Sequence, residues 1–343
     1  MNVPKLIKLF VLSVLMVAVA SACQAEQVEV TRVVTEQVEV TRVVTETIEV
    51  EGEMVEVTRI VEGEAEETDE GEAETESTLE RARQEGVIRV GFANENPYAF
   101  ARPDGTLSGE AVEVARAVFQ ALGIAEMEGV LTQFGSLIPG LQAGRFDVIT
   151  AGMYITPTRC EEVLFADPEY SVGEALIVEA GNPHDLHSYE DIAANPDVTV
   201  GTGAGYLEYD YMVAAGVSED QIVTFPDDPS GVAGLQAGQI DAWTGTRPTL
   251  LITLQTTDDP NLELAEPFEQ PVVDGEPVIS YGGAAFRFED FEFREAFNEE
   301  LQNLKDSGEL LDLIGQFEGF DEGSLPGDVT AEDICPDAYA DLE

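Results

Sequence analysis

Arg159, Glu95 and a set of aromatic residues are the side chains whose type and placing could hold a small molecule. Arg159 comes after a predicted strand, a turn and Pro157. A guanidinium there could give two parallel, charge-assisted hydrogen bonds to a planar carboxylate. The alternative is a surface ion pair with Glu161 or Glu162. Tyr98, Phe134 and Tyr154 each follow a predicted strand, in loops facing one cleft. Aromatic faces attract weakly hydrated cations, more strongly where water is excluded. One such ring alone reads better as core or rim; three at matching loop ends read better as a site. Glu95 could accept hydrogen bonds from a ligand, or be a solvated loop acid. Gly201-Thr202-Gly203-Ala204-Gly205-Tyr206 leads into a helix, so Thr202 or Gly203 could touch an anion at the helix N-terminus. The same glycines also suit a tight strand-to-helix turn, and they lack the dinucleotide-binding spacing.

Other chemistries have little to work with. Cys23, Cys160 and Cys335 form no close pair, and His184 and His187 sit in a loop near Pro183, so no metal site and no cofactor are expected. The chain has 343 residues with 69 Asp and Glu against 16 Lys and Arg, a net charge of −53. Nucleic acid and anionic membrane surfaces would repel it. Residues 79–343 carry 51 of those acids, which suits saline surroundings where salt screens self-repulsion.

The elements that must position these residues begin near residue 79. The run Val87-Ile88-Arg89-Val90-Gly91-Phe92-Ala93 predicts a strand. Residues 108–122 predict a helix, with Ala111, Val114, Ala115, Val118, Phe119 and Leu122 on one face. Strands follow at 127–132 and 146–150, with a helix at 135–143 between them. A second cycle runs through strands at 175–178, 198–200, 222–225 and 240–243, with helices at 206–215, 231–237 and 249–254. Leu141-Gln142-Ala143-Gly144 returns as Leu235-Gln236-Ala237-Gly238. Alternating strands and helices imply an α/β fold with a largely parallel sheet. Two such lobes leave a cleft where small ligands commonly bind.

The N-terminus reads as an address. Lys5 and Lys8 precede an apolar run from Leu9 to Ala20, too short for a mature membrane span. Val19-Ala20-Ser21-Ala22-Cys23 resembles the lipobox of bacterial lipoproteins, which implies a signal peptide at 1–22 and a lipid anchor on Cys23. Gln27 to Glu36 recurs unchanged at 37–46, and residues 62–76 are almost wholly Glu, Gly, Ala and Thr. Residues 23–78 therefore read as an acidic stalk without enough apolar surface to order itself.

The body resembles a known family. Leu141-Gln142-Ala143-Gly144-Arg145-Phe146-Asp147-Val148-Ile149-Thr150-Ala151-Gly152, with Thr156-Pro157-Thr158-Arg159 after it, looks like the polar-amino-acid class of ABC-transporter solute-binding proteins. Ala93-Asn94-Glu95-Asn96-Pro97-Tyr98, Arg159-Cys160 and Ser188-Tyr189-Glu190-Asp191-Ile192-Ala193 are similar to ectoine/hydroxyectoine-binding proteins in particular. The resemblance implies a periplasmic-binding-protein-like type II fold, with 79–175 plus 279–343 as one lobe and 176–278 as the other. It implies that Arg159 clamps a ligand carboxylate, that Tyr98, Phe134 and Tyr154 box a delocalised cation, and that Glu95 accepts from ring N–H groups. A Cys160–Cys335 disulfide is implied too, in keeping with an exported domain.

The partners implied are a small zwitterionic, ectoine-like ligand and the permease subunits of an ABC importer, the binding protein itself being a monomer outside the cytoplasmic membrane. Relatives that take amino acids hold the α-ammonium with an Asp shortly after the Asp-Ala phrase. Here Asp241-Ala242-Trp243-Thr244 runs into Gly245-Thr246-Arg247, with no acid in reach. That argues against ordinary α-amino acids, since a buried ammonium without a partner is costly. A polar amino acid or a betaine remains the alternative ligand. An enzyme on the same fold, such as a dehydratase, would need an acid–base pair, and Glu95 is the one cleft acid the sequence places.

Overall fold

The computed structural model describes residues 41–50, 53–62, 76–273 and 276–340, in two units divided near residue 73. Cys23 and the signal segment lie outside the described residues. In the first unit, Thr41–Val50 pairs antiparallel with Glu53–Glu62, from Thr41↔Glu62 to Val50↔Glu53. The stalk expected at 23–78 thus contains one strand pair. The Val–Thr–Glu alternation of these two segments has a strand period.

In the second unit, helix Thr78–Glu85 is capped by Ser77 and stopped by Gly86 in the left-handed region. Strand Val87–Phe92 follows and becomes the second strand of a five-stranded sheet. Its order is Glu126–Leu131, Val87–Phe92, Val148–Ile149, Ala285–Phe286, Leu164–Phe165. All six residues of the apolar face read from 108–122 are buried, five on a helix that spans Glu110–Ala121 and Leu122 at its C-cap. At ~1.5–3 kcal/mol for each large apolar side chain withdrawn from water, that face is enough to dock the helix.

The second sheet repeats the plan. Its order is Ile222–Phe225, Val200–Gly203, Ala242–Thr246, Glu174–Glu179, Leu262–Leu264. Strand Glu174–Glu179 is covered on both faces: Leu176 and Val178 enter one core, and Ala175 and Ile177 another with Trp243. The repeated Leu-Gln-Ala-Gly phrase ends a helix in both halves, with Gly144 at φ 66° and Gly238 at φ 67° turning the chain toward the next strand. Only glycine adopts that conformation at little cost.

Each sheet is mixed rather than largely parallel. Three neighbouring strands are parallel, and the fourth and fifth pair antiparallel. The reason is the crossing of the chain: each fourth strand enters from the opposite half, so it runs against its neighbours. Tyr170–Val172 and Ser280–Gly282 pair antiparallel at these crossings. The strand expected at 146–150 shrinks to Val148–Ile149. Its first residues are otherwise engaged: Phe146 is buried, and Asp147 takes Arg81 at 2.7 Å and Arg89 at 2.9 Å.

Cys160 and Cys335 are joined in a disulfide. It fastens the C-terminal segment, where the Tyr339 hydroxyl donates to the Phe165 carbonyl at 3.0 Å and accepts from its N–H at 2.8 Å.

Candidate functional site

Arg159 stands on a four-residue helix, Pro157–Cys160, whose start is fixed by Thr156 and whose end is tied by the disulfide. The Thr156 hydroxyl accepts the Arg159 N–H at 3.3 Å. From there Nη1 donates to the Tyr154 carbonyl at 2.8 Å and Nη2 to the Gly205 carbonyl at 3.0 Å. The guanidinium lies over the Phe134 ring, 5.5 Å from its centre. No ion pair to Glu161 or Glu162 forms among the described residues, so the rival role read for Arg159 is not taken up. Two N–H groups are engaged, which leaves further donors of the guanidinium fork.

The pocket that Arg159 enters is lined by Glu95, Phe134, Gly152, Tyr154, Tyr206, Leu207, Glu208 and Thr246. Its free volume is about 20 Å³, roughly the space of one water. A ring-sized ligand does not fit in that space as the walls stand.

Glu95 is buried and accepts a hydrogen bond at 3.1 Å from the Thr249 hydroxyl. That hydroxyl accepts from Thr246 at 3.0 Å, and Thr246 accepts from Tyr98 at 2.9 Å. The relay crosses the cleft twice and ends on a carboxylate, an arrangement in which each bond polarises the next. Burial pushes the Glu95 carboxyl well up, and the charges of Asp228 and Glu208 add to it. Tyr154 donates to Glu174 Oε1 at 3.2 Å. Glu174 and Glu208 are both raised by burial, and Arg159 pulls Glu208 the other way.

Of the residues expected from sequence, Glu95, Phe134, Tyr154 and Arg159 come together on this pocket. Tyr98 sits behind it, against Gly152, where a Cβ would meet the Tyr98 ring at 2.4 Å. Thr202 and Gly203 lie in strand Val200–Gly203, outside the lining. Gly203 passes under the Tyr206 ring, and the turn offers Arg159 a carbonyl from Gly205. His184 lies 3.7 Å from Asp241, and His187 Nδ1 is 2.8 Å from the Pro267 carbonyl. No group of three or more metal-type ligands occurs among the described residues.

Tyr206, Glu208 and Thr246 were not foreseen. Glu208 corrects the expectation that Glu95 is the one acid in the cleft and that a ligand ammonium has no partner there. Its signal was present: on helix Glu208–Ala214 it shares a face with buried Met212, four residues on.

The pattern of bacterial extracellular solute-binding proteins, family 3, matches residues 88–320. The chain belongs to that family. A probable amino-acid ABC transporter periplasmic-binding protein of Sinorhizobium fredii is 37% identical over 262 residues, 75% of this chain and 86% of that protein. The crystal structure of EhuB in complex with hydroxyectoine superposes with a TM-score of 0.69 at 37% identity, over 75% of this chain and 97% of EhuB. An ancestral amino acid-binding protein, a precursor of cyclohexadienyl dehydratase, gives 0.61 at 26% identity over 70% and 99%. This family 3 protein thus has the type II periplasmic-binding fold and is a solute-binding protein of the ABC amino-acid importer class. No helix among the described residues is long and apolar enough to cross a membrane.

Proposed function

We propose that this protein captures ectoine or hydroxyectoine outside the cytoplasmic membrane and delivers it, unchanged, to the permease of an ABC importer. The observation that carries the reading is one pocket lined by a guanidinium, two carboxyl groups and aromatic rings. Arg159 lines it together with Glu95 and Glu208, and Phe134, Tyr154 and Tyr206 supply the rings. A cyclic amidinium carboxylate matches all three features: the carboxylate goes to Arg159, the ring N–H groups to a carboxylate, and the delocalised cation to the rings. The hydroxyectoine complex of a 37% identical protein supports the same ligand class. In this reading the protein works as a monomer held by lipid on Cys23.

Glu208 favours a second reading, a polar α-amino acid, because a buried carboxylate beside Arg159 could take an α-ammonium. A thermal-shift panel of ectoine, hydroxyectoine, glycine betaine and L-amino acids separates the two. Ectoine and hydroxyectoine should give the largest stabilisation and be recovered intact. Stabilisation by an amino acid alone would replace the first reading with the second.

A further inference from the structure

The helix that carries Arg159, Pro157–Cys160, has four residues. That is far short of the ~12–15 an isolated helix needs to persist in water, so its surroundings must hold it. Across it, the Cys160 N–H donates to the Thr156 carbonyl at 2.9 Å and the Glu161 N–H to the Pro157 carbonyl at 3.2 Å. Cys160 is its buried side chain, while Pro157 and Thr158 are exposed. A cavity of about 530 Å³ adjoins the helix, lined by both cysteines of the disulfide with Pro157, Glu161, Phe288 and Pro336, so packing there is incomplete. The anchor of the helix is therefore Cys160, and it is bonded to Cys335. The far end of that bond is fixed to the body. The Ala331 N–H donates to Asp167 Oδ1 at 3.0 Å, the Tyr339 hydroxyl bonds the Phe165 backbone, and the Arg294 guanidinium lies 4.7 Å from the Tyr339 ring centre.

We propose that the Cys160–Cys335 disulfide is a positioning element of the ligand site, holding Arg159 in the orientation that meets a carboxylate. This role presupposes Arg159 as the carboxylate clamp, a feature that both ligand readings above share. The Arg159 side chain is long, and its contacts to the Tyr154 and Gly205 carbonyls orient the guanidinium only from a backbone that stays in place. A covalent bond at the next residue, tied to a fixed C-terminal segment, keeps it there. A contact group held in advance by a supporting layer need not be ordered when the ligand arrives. Without the bond, the turn at 157–160 must be ordered at capture. Affinity for a carboxylate then falls, and affinity for a ligand lacking one stays.

The test is calorimetric titration with ectoine and with 2-methyl-1,4,5,6-tetrahydropyrimidine, the same ring without its carboxylate. Both are titrated into the parent, Cys160→Ala/Cys335→Ala and Arg159→Ala, at a temperature where melting curves show each folded. The alanine pair should bind ectoine about threefold to tenfold more weakly, the range for ordering one long side chain at binding. It should bind the bare ring as the parent does, and added to Arg159→Ala it should weaken ectoine binding no further. If the pair fails to fold, Cys335→Ala alone opens the bond and leaves Cys160 in the helix. Unchanged ectoine affinity, an equal loss for both ligands, or a full further loss on top of Arg159→Ala overturns the proposal. Parental ectoine affinity in Arg159→Ala would instead overturn the clamp itself, which keeps the two failures apart. Where the parent takes only an amino acid, that acid and the amine lacking its carboxylate replace the two ligands.

Discussion

The two walls of the cleft carry opposite electrostatics. The first-sheet wall holds Arg159, with Phe134 beneath its guanidinium and Tyr154 and Glu95 beside it. The second-sheet wall brings Tyr206, Glu208 and Thr246. Between residues 176 and 278 the only Lys or Arg is Arg247. It is exposed and paired to Glu266 at 2.8 Å. The difference teaches an order of events. An anionic group can be held by the first wall alone, whereas closing the second wall lays an acidic, aromatic surface on the ligand. A ligand without positive charge would therefore pay electrostatically for closure, and one without a carboxylate would leave Arg159 unmatched.

The largest effect should come from removing the positive wall. Arg159→Ala should weaken binding by ~3–5 kcal/mol, a factor of 10² to 10³ or more, because it strips the counter-charge from a buried carboxylate. Calorimetric titration reads this directly, and near-parental affinity would remove Arg159 from the site. Glu208→Gln tests the acidic wall. Loss of a charge-assisted hydrogen bond predicts ~1.5–3 kcal/mol weaker binding of a cationic ring, and little change for a ligand that is only anionic. Equal losses for both ligands would mean that Glu208 merely shapes the pocket. Phe134→Leu keeps apolar volume and removes one aromatic face, for an expected ~0.5–2 kcal/mol. A leucine variant that binds as tightly as the parent would reduce the ring to wall.

Acidity probes the same asymmetry without substitution. Glu95, Glu174 and Glu208 are raised by burial, and Glu169 is pushed up to about 8. Their folded values exceed the unfolded Glu value of ~4.3, so the folded state binds more protons in that window. Stability of the unliganded protein should therefore be fully present below pH ~4.3 as far as these groups are concerned, and be lost as pH rises toward about 8. Ligand affinity should run the other way, rising with pH as Glu208 ionises. Melting and titration series across pH 5 to 8.5, on the order of half-unit steps, check both slopes. Parallel slopes would contradict an ionised Glu208 in the complex.

How much of this was legible in the sequence depended on distance along the chain. Local pattern located Val87–Phe92 and the buried face of Glu110–Ala121, because β-branched runs and helical spacing are short-range signals. The mixed pairing was not legible, because Ala285–Phe286 reaches its neighbours from more than a hundred residues away. Arg159 was found through its Pro and the motif around it. Glu208 was passed over because in a chain with 69 acids one more carboxylate reads as surface. Its spacing to Met212 was the clue that charge abundance hid. For Thr202 and Gly203 the local turn left two readings open, an anion contact or a plain strand-to-helix turn; the pocket lining begins just beyond them, at Tyr206, Leu207 and Glu208.

The most direct test of the two-wall account is a calorimetric comparison of ectoine with pyroglutamate, a ring carboxylate of similar size whose ring is a neutral amide. Both offer a carboxylate to Arg159, and only ectoine offers a cation to Glu208 and the rings. The account predicts that ectoine binds at least tenfold tighter, by about 1.4 kcal/mol or more, and that Glu208→Gln narrows the gap. Equal affinity for the two, or tighter binding of pyroglutamate, would contradict it.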